Sequence, residues 1–310
     1  MRFLLIALLL VSGCVQAQKK IAITIDDLPT VSNYYRTSEQ KVQMTHRLLK
    51  HLKDHKAPAI GFVIGRLLYS DGQPDKSQLA LLTKWLDAGV ELGNHTYAHK
   101  DINQISSAEY AEDVIKGEQL TKDLVERRGK SFRYFRHPFL RKGPTQAKKD
   151  SIEQLLTQRG YREAPVTVDN SDYLFSRAYD NALLQDGKTL AAEVGRQYIA
   201  YMTSYIDYYE AQSDSLFGRQ IPQTLLLHAN AINADYLGQL LTALHRKGYS
   251  FVSLDEALKD PAYQSADRYV GKGGISWLHR WALTQGKQGA FFKGEPEVPA
   301  TINELVQRNP

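Results

Sequence analysis

The 310-residue sequence contains one cysteine, Cys14, and it falls in the N-terminal leader rather than the body of the chain. A disulfide framework is therefore excluded, as are thiol catalysis and a cysteine-closed zinc site, so stability must come from a buried core. No apolar run approaches the roughly 20 residues that a membrane-spanning helix requires, so no integral membrane segment is expected. Charge of one sign is also scarce. The 39 Lys and Arg against 34 Asp and Glu leave a net +5, spread along the chain. That surplus is too small and too diffuse to suggest a nucleic-acid partner. No linker, low-complexity stretch or internal repeat divides the sequence, which makes one α/β domain the simplest organisation at this length.

The stretch 1–17 reads as a targeting segment. Arg2 supplies a basic start, Phe3 to Val11 an apolar stretch, and Val15-Gln16-Ala17 a small-residue cleavage site before Gln18. The string Val11-Ser12-Gly13-Cys14 also resembles a bacterial lipobox, which would make Cys14 a lipid anchor. Export to the periplasm or beyond and attachment to a bacterial membrane both stay open.

Past the leader, short β-branched runs alternate with longer helical patterns. Strands are predicted over 21–25, 59–64, 90–94, 134–136, 162–168, 224–228 and 250–252. Helices are predicted near 38–55, 76–88, 107–127, 144–159, 189–211 and 233–247, with Gly89, Gly129, Gly160 and Gly248 as stops. Alternation repeated about seven times argues for a parallel sheet with crossover helices. Residues 18–260 are assigned to this barrel-sized unit, and the aromatic residues 261–310 to an extension that wraps it. Tyr198, Tyr201, Tyr205 and Tyr208 share one helix face, expected to pack on the body rather than to stack on sugars.

Polar residues concentrate where the predicted strands end, and in a parallel barrel those ends converge on one face. The first strand ends in Asp26-Asp27, a pair that by itself is as often a turn or a helix cap. The third ends in Asn94-His95-Thr96-Tyr97-Ala98-His99, with two histidines four apart on one side of an expected helical turn. Alone, such a pair is as compatible with surface or core histidines. Two histidines and a carboxylate from another strand end would make a three-ligand metal set with a position left open. The fourth strand runs into Arg136-His137-Pro138-Phe139, where the arginine could orient a carboxylate. The fifth ends in Asp169-Asn170-Ser171-Asp172-Tyr173, and the sixth is Leu225-Leu226-Leu227-His228. A histidine closing an apolar strand is either a satisfied core residue or, beside a carboxylate, a general acid.

In this order, from about Ile21 to Leu258, the five strings resemble the polysaccharide deacetylases of the NodB-homology type, the fourth carbohydrate esterase family. The resemblance implies a distorted (β/α) barrel of about seven parallel strands and metal-dependent removal of N- or O-acetyl groups from a carbohydrate. The polymer could be a chitooligosaccharide, peptidoglycan, xylan or an exopolysaccharide; the alternatives are a hydrolase of a small non-sugar amide or ester on the same site, or a non-catalytic glycan-binding protein. It implies a divalent metal, zinc before cobalt, nickel or manganese, held by Asp27, His95 and His99. Asp26 is expected to act as base with Arg136 beside it, its pKa kept low by that partner. His228 is expected to act as acid, its pKa raised by Asp172. Phe139 would offer its backbone to an oxyanion, and Tyr173 and Leu225 would wall the acetyl methyl. Leu28, Tyr173 and His137 stand where the family often has Gly, Trp and Pro, which leaves the substrate open rather than the reaction.

Overall fold

The computed structural model describes residues 18–185 and 187–308. The leader features and Cys14 lie outside the described residues. In chain order the regular elements are β1 (Lys19–Leu28), α1 (Ser38–Asp54), β2 (Ala59–Val63), β3 (Tyr69–Ser70), β4 (Gln73–Pro74), α2 (Lys76–Asp87), β5 (Glu91–Asn94) and α3 (Ser107–Glu126). Then come β6 (Tyr134–Phe135), α4 (Gln146–Gln158), β7 (Arg162–Glu163), α5 (Asp172–Gln185), α6 (Lys188–Phe217), β8 (Gln223–His228), α7 (Ala231–Arg246) and β9 (Tyr249–Val252). Three short helices follow, α8 (Leu254–Ala257), α9 (Trp277–Thr284) and α10 (Ala300–Gln307).

Helices start where the sequence offers a cap. Thr37 with Gln40 and Ser106 with Glu109 close reciprocal capping boxes, and Asn230 accepts from the Asn233 N–H at the start of α7. At the other ends, Gly89 and Gly248 take positive φ, 85° and 87°. That left-handed conformation would strain any side chain.

The main sheet runs β7-β6-β5-β2-β1-β8, with β9 also on β1, and its strand pairs are parallel. Arg162 and Glu163 pair with β6, while Val168 bridges to Leu225 of β8, so one short stretch touches both edges. That double attachment curls the parallel sheet expected from the alternation into the distorted (β/α) barrel that the resemblance implied. All seven predicted strands are present, although the fifth is regular only at Arg162–Glu163. On β1, Ile21, Ile23 and Ile25 join the principal core while Ala22, Thr24 and Asp26 are also buried, as expected for a strand covered on both faces.

Four helices of the described residues went unread in the sequence, α5, α8, α9 and α10, of which α5 is the longest. Residues 172–185 form α5, yet Tyr, Phe, Asn and Asp are middling helix formers, so propensity gave little signal there. Packing makes the helix, since Phe175, Ala178, Tyr179 and Ala182 are all in the core. Tyr198, Tyr201, Tyr205 and Tyr208 of α6 are buried as well, as is Tyr209. Past Pro261 the chain returns to the barrel: Trp277 N–H donates to Val166 O at 2.7 Å, and Ser276 Oγ donates to Thr167 O at 2.7 Å. Trp277 and Trp281 enter the same core.

Candidate metal and catalytic site

The site begins with a break in a strand. Parallel pairing of β1 with β2 shifts register between Ile25 and Leu28, and Asp27 within that irregularity has φ of 63°. In a regular strand, neighbours point to opposite faces. The bulge removes that alternation. The Asp26 and Asp27 carboxylates therefore line one cavity of about 560 Å³. On the other edge of β1, Asp26 is in register with His228 of β8.

The histidine pair converges by a different route from the one its spacing suggested. Residues 95–99 are not helical; they form a loop in which Thr96 and His99 are left-handed, at φ of 63° and 54°. Side chains shape that loop: Asn94 Oδ1 accepts from Thr96 N–H at 2.8 Å, Thr96 Oγ1 from His99 N–H at 3.1 Å, and the Asp113 carboxylate from Ala98 N–H. Phe139 and Leu140 opposite are left-handed too, at 56° and 55°. Each such non-glycine residue costs roughly 1–3 kcal/mol, and strain of this kind gathers at working sites.

Asp27, His95 and His99 each offer a ligand atom, all within 4.8 Å of one another. Asp27 Oδ1 lies 3.5 Å from His95 Nε2 and 3.6 Å from His99 Nε2. Donors sharing a tetrahedral ion at bonds of about 2.0–2.2 Å sit about 3.3–3.6 Å apart, so these separations fit one divalent cation. The donor chemistry agrees. His95 Nδ1 donates to Arg136 O at 2.8 Å. With that nitrogen protonated, Nε2 keeps its lone pair toward Asp27. Burial depresses both imidazoles, His95 to about 3 and His99 to about 4. Both are therefore neutral and able to ligate at physiological pH. Asp27 Oδ1 is buried without a hydrogen bond among the described residues, an unmet acceptor that a cation would satisfy.

Asp26 is buried and pairs with Arg136, Nη1 to Oδ2 3.6 Å. Arg136 is fully buried, donates from Nη2 to Thr24 Oγ1 at 3.0 Å and lies over the Phe62 ring. Among the protein's own groups, the low Asp26 pKa expected from Arg136 is corrected: burial pushes it up, more strongly than the Arg136, His228 and His99 charges pull it down.

His228 is held from behind. Its Nδ1 donates to Asp172 Oδ1 at 2.6 Å, and its N–H donates to Asp172 Oδ2 at 2.9 Å. Asn233 Nδ2, at 2.9 Å, and Asn230 Nδ2, at 3.3 Å, donate to that same carboxylate oxygen. Burial works against the imidazolium, but the Asp172 charge and hydrogen bond outweigh it, helped by Asp27 and Asp26, so the pKa rises well above the ordinary value. Nδ1 is committed to Asp172, which leaves Nε2 as the remaining polar atom of the ring.

Tyr173 and Phe139 line the cavity, half-exposed, with the Phe139 ring 4.6 Å edge-on from His99. Leu225 does not line it. Side chains alternate along β8, so the residue sharing a face with His228 is Leu226, which does line the cavity. Period-two counting back from His228 would have chosen it. Also unassigned from sequence were Asp169, whose pKa burial and the Glu295 charge raise to about 7, and Tyr205, Gly274 and Glu295. Asp169 was readable from its place at a strand end. Glu295 and Gly274 arrive from the wrapping segment, and nothing local marks them.

Residues 15–164 match the protein-family profile described as polysaccharide deacetylase. That match spans 150 of the 310 residues, just under half of the chain. The chain is 25% identical over 120 residues to a peptidoglycan-N-acetylglucosamine deacetylase of Bacillus cereus, a match spanning 39% of the chain and 36% of that relative. Among solved structures it resembles a mutant of a CE4-family pseudoenzyme, described as having restored enzymatic activity, whose wild type is from Bacillus anthracis. The TM-score is 0.50 at 19% identity, covering 78% of this chain and 68% of the other. It resembles equally the Bc1960 peptidoglycan N-acetylglucosamine deacetylase, with TM-score 0.50 at 19% identity over 78% and 88% of the two chains. At that identity the likeness speaks for the barrel alone.

Proposed function

We propose that this protein is a metal-dependent hydrolase that removes acetyl groups from a carbohydrate. The observation that carries the proposal is a convergence: one cavity is lined by a paired carboxylate, a three-donor set at ligand spacing, and an imidazole held by a buried carboxylate. Asp27, His95 and His99 would hold the divalent ion, with zinc favoured by two nitrogens and one oxygen. When bound, such an ion polarises a carbonyl and acidifies water.

The chain's own groups divide the rest of the work. Asp26 Oδ1, buried without a hydrogen bond among the described residues, is placed to take a proton from attacking water, and Arg136 keeps the carboxylate oriented. The Phe139 backbone N–H would face the oxyanion formed on the acetyl carbonyl oxygen. His228, protonated because Asp172 stabilises its charge, gives a proton to the leaving nitrogen or oxygen as its bond to the acetyl carbon breaks. Acetate and the free amine or alcohol result, with no covalent enzyme intermediate. Tyr173 and Leu226 wall the acetyl methyl.

Among acetylated polymers, the Bacillus cereus relative favours an N-acetylglucosamine unit of peptidoglycan, and an exported or lipid-anchored enzyme would meet such a polymer. The test is incubation with defined acetylated chitooligosaccharides, peptidoglycan fragments and xylo-oligosaccharides, scored by released acetate and by the mass lost when hydrogen replaces an acetyl group. Metal-stripped protein is the control. Binding of these glycans with no acetate released from any would leave a glycan-binding protein instead.

A further inference from the structure

The turn that carries Phe139 is held from outside the barrel. Phe139 and Leu140 are consecutive left-handed residues with bulky side chains, a conformation that persists only where the surroundings impose it. Two groups beyond residue 260 do so. Arg280, 1% exposed, donates from Nη2 to Leu140 O at 2.9 Å. Its guanidinium is fixed in turn, lying 5.0 Å from the Tyr269 ring centre and 4.8 Å from that of Trp277. Both rings attract the cation. Arg280 Nη1 also lies 3.3 Å from Asp267 Oδ2. From the neighbouring side comes Gly274, where an added Cβ would fall 1.6 Å from Phe139 O. Only glycine permits that approach.

We propose that Arg280 and Gly274 are positioning residues, and that the segment after Pro261 clamps the Phe139–Leu140 turn so that the Phe139 backbone is presented beside Asp27, His95 and His99. The inference rests on the deacetylase reading for its kinetic consequence, though not for the clamp itself. Neither residue is assigned to touch the reacting atoms: Arg280 acts through the Leu140 carbonyl and Gly274 through that of Phe139. Relaxing the turn would withdraw a donor from a developing oxyanion while leaving ground-state binding of the sugar in place.

The experiment compares Arg280→Gln, Arg280→Lys and Gly274→Ala with the parent, each loaded with zinc and checked for bound metal. In Arg280→Gln the expected kcat falls roughly 10- to 100-fold, the scale of a small misplacement at a reacting centre, while KM stays nearly constant. Arg280→Lys, which keeps a donor for the carbonyl but loses the planar fork, recovers part of the loss. Gly274→Ala gives the same kcat defect from the other side of the turn, and serves alone if Arg280→Gln does not fold. Hydrogen exchange supplies a readout independent of turnover: protection should drop over residues 137–141 in Arg280→Gln and remain at 94–99. Unchanged kcat and unchanged exchange in the variants would overturn the proposal, as would a defect confined to KM or a loss of bound metal. If the parent itself releases no acetate, the deacetylase reading fails and exchange alone decides the clamp.

Discussion

The two halves of the cavity are built on opposite plans. Behind His228 both carboxylate oxygens of Asp172 have partners: they accept from Nδ1 and N–H of His228 and from the side chains of Asn230 and Asn233, all without an added ligand. Around Asp27, oxygen and nitrogen atoms face one another at 3.5 and 3.6 Å, and Asp26 Oδ1 and Asp27 Oδ1 lack hydrogen bonds among the described residues. The first half is finished by folding. The second is a set of neutral imidazoles and largely buried carboxylates whose desolvation a cation would offset. On the proposed reading, the first half is a scaffold for a proton and the second a seat for an ion.

The sharpest way to break that comparison is Asp27→Ala. It should abolish zinc uptake, read by elemental analysis, and drop turnover to that of metal-stripped protein. The same substitution at His95 should match it, because its Nε2 is free only for the ion. Full activity without metal would remove the seat from the reaction. Next in size is Asp26→Asn, expected to retain zinc while losing about 100- to 10,000-fold in turnover, the usual worth of a positioned base. Near-normal turnover there would move the base elsewhere.

His228→Ala should leave slow activity with bound zinc intact, and its pH profile should lose the alkaline limb. The sign follows from the charge it carries. Asp172 holds the proton on His228, so the acid form persists through neutral pH and is lost only as pH climbs toward about 10. Asp172→Asn should therefore slide the alkaline limb to lower pH without touching metal content, and a limb that stays in place would assign the donor to another group. The smallest effect is reserved for Asn233→Ala. It removes one donor from a carboxylate already supplied by others, together with the partner of the His228 carbonyl and of the Tyr198 hydroxyl. Denaturant titration should show a loss of about 3 kcal/mol, the scale of one hydrogen bond to a charged group with neighbouring polar groups left unpaired, with zinc binding unchanged. A large loss of zinc in that variant would mean that the two halves are not independent.

Much of this was legible along the chain. Strand–helix alternation predicted seven parallel strands and their ends, because a periodic apolar pattern is a local property of the sequence. The five polar strings at those ends pointed to Asp26, Asp27, His95, His99, Arg136, Asp172 and His228, and the fold brings their side chains together through the Asp26–His228 register and the curl of the sheet. What local pattern did not carry was the direction of each side chain and the balance of forces on it. Spacing suggested a helical turn for His95 and His99, whereas the Asn94, Thr96 and Asp113 side chains bend that segment into a left-handed loop. Arg136 beside Asp26 suggested a lowered pKa, yet the charge of one neighbour is outweighed by the depth of burial, which only the packed barrel sets. Leu226 rather than Leu225 faces the cavity because alternation is counted from a residue whose own direction comes from the barrel. Arg280, Gly274 and Glu295 reach the same cavity or its supporting turn from far along the chain past Phe139. Contacts at that separation are decided by how the wrapping segment packs on a closed sheet, and no short window of sequence contains both partners.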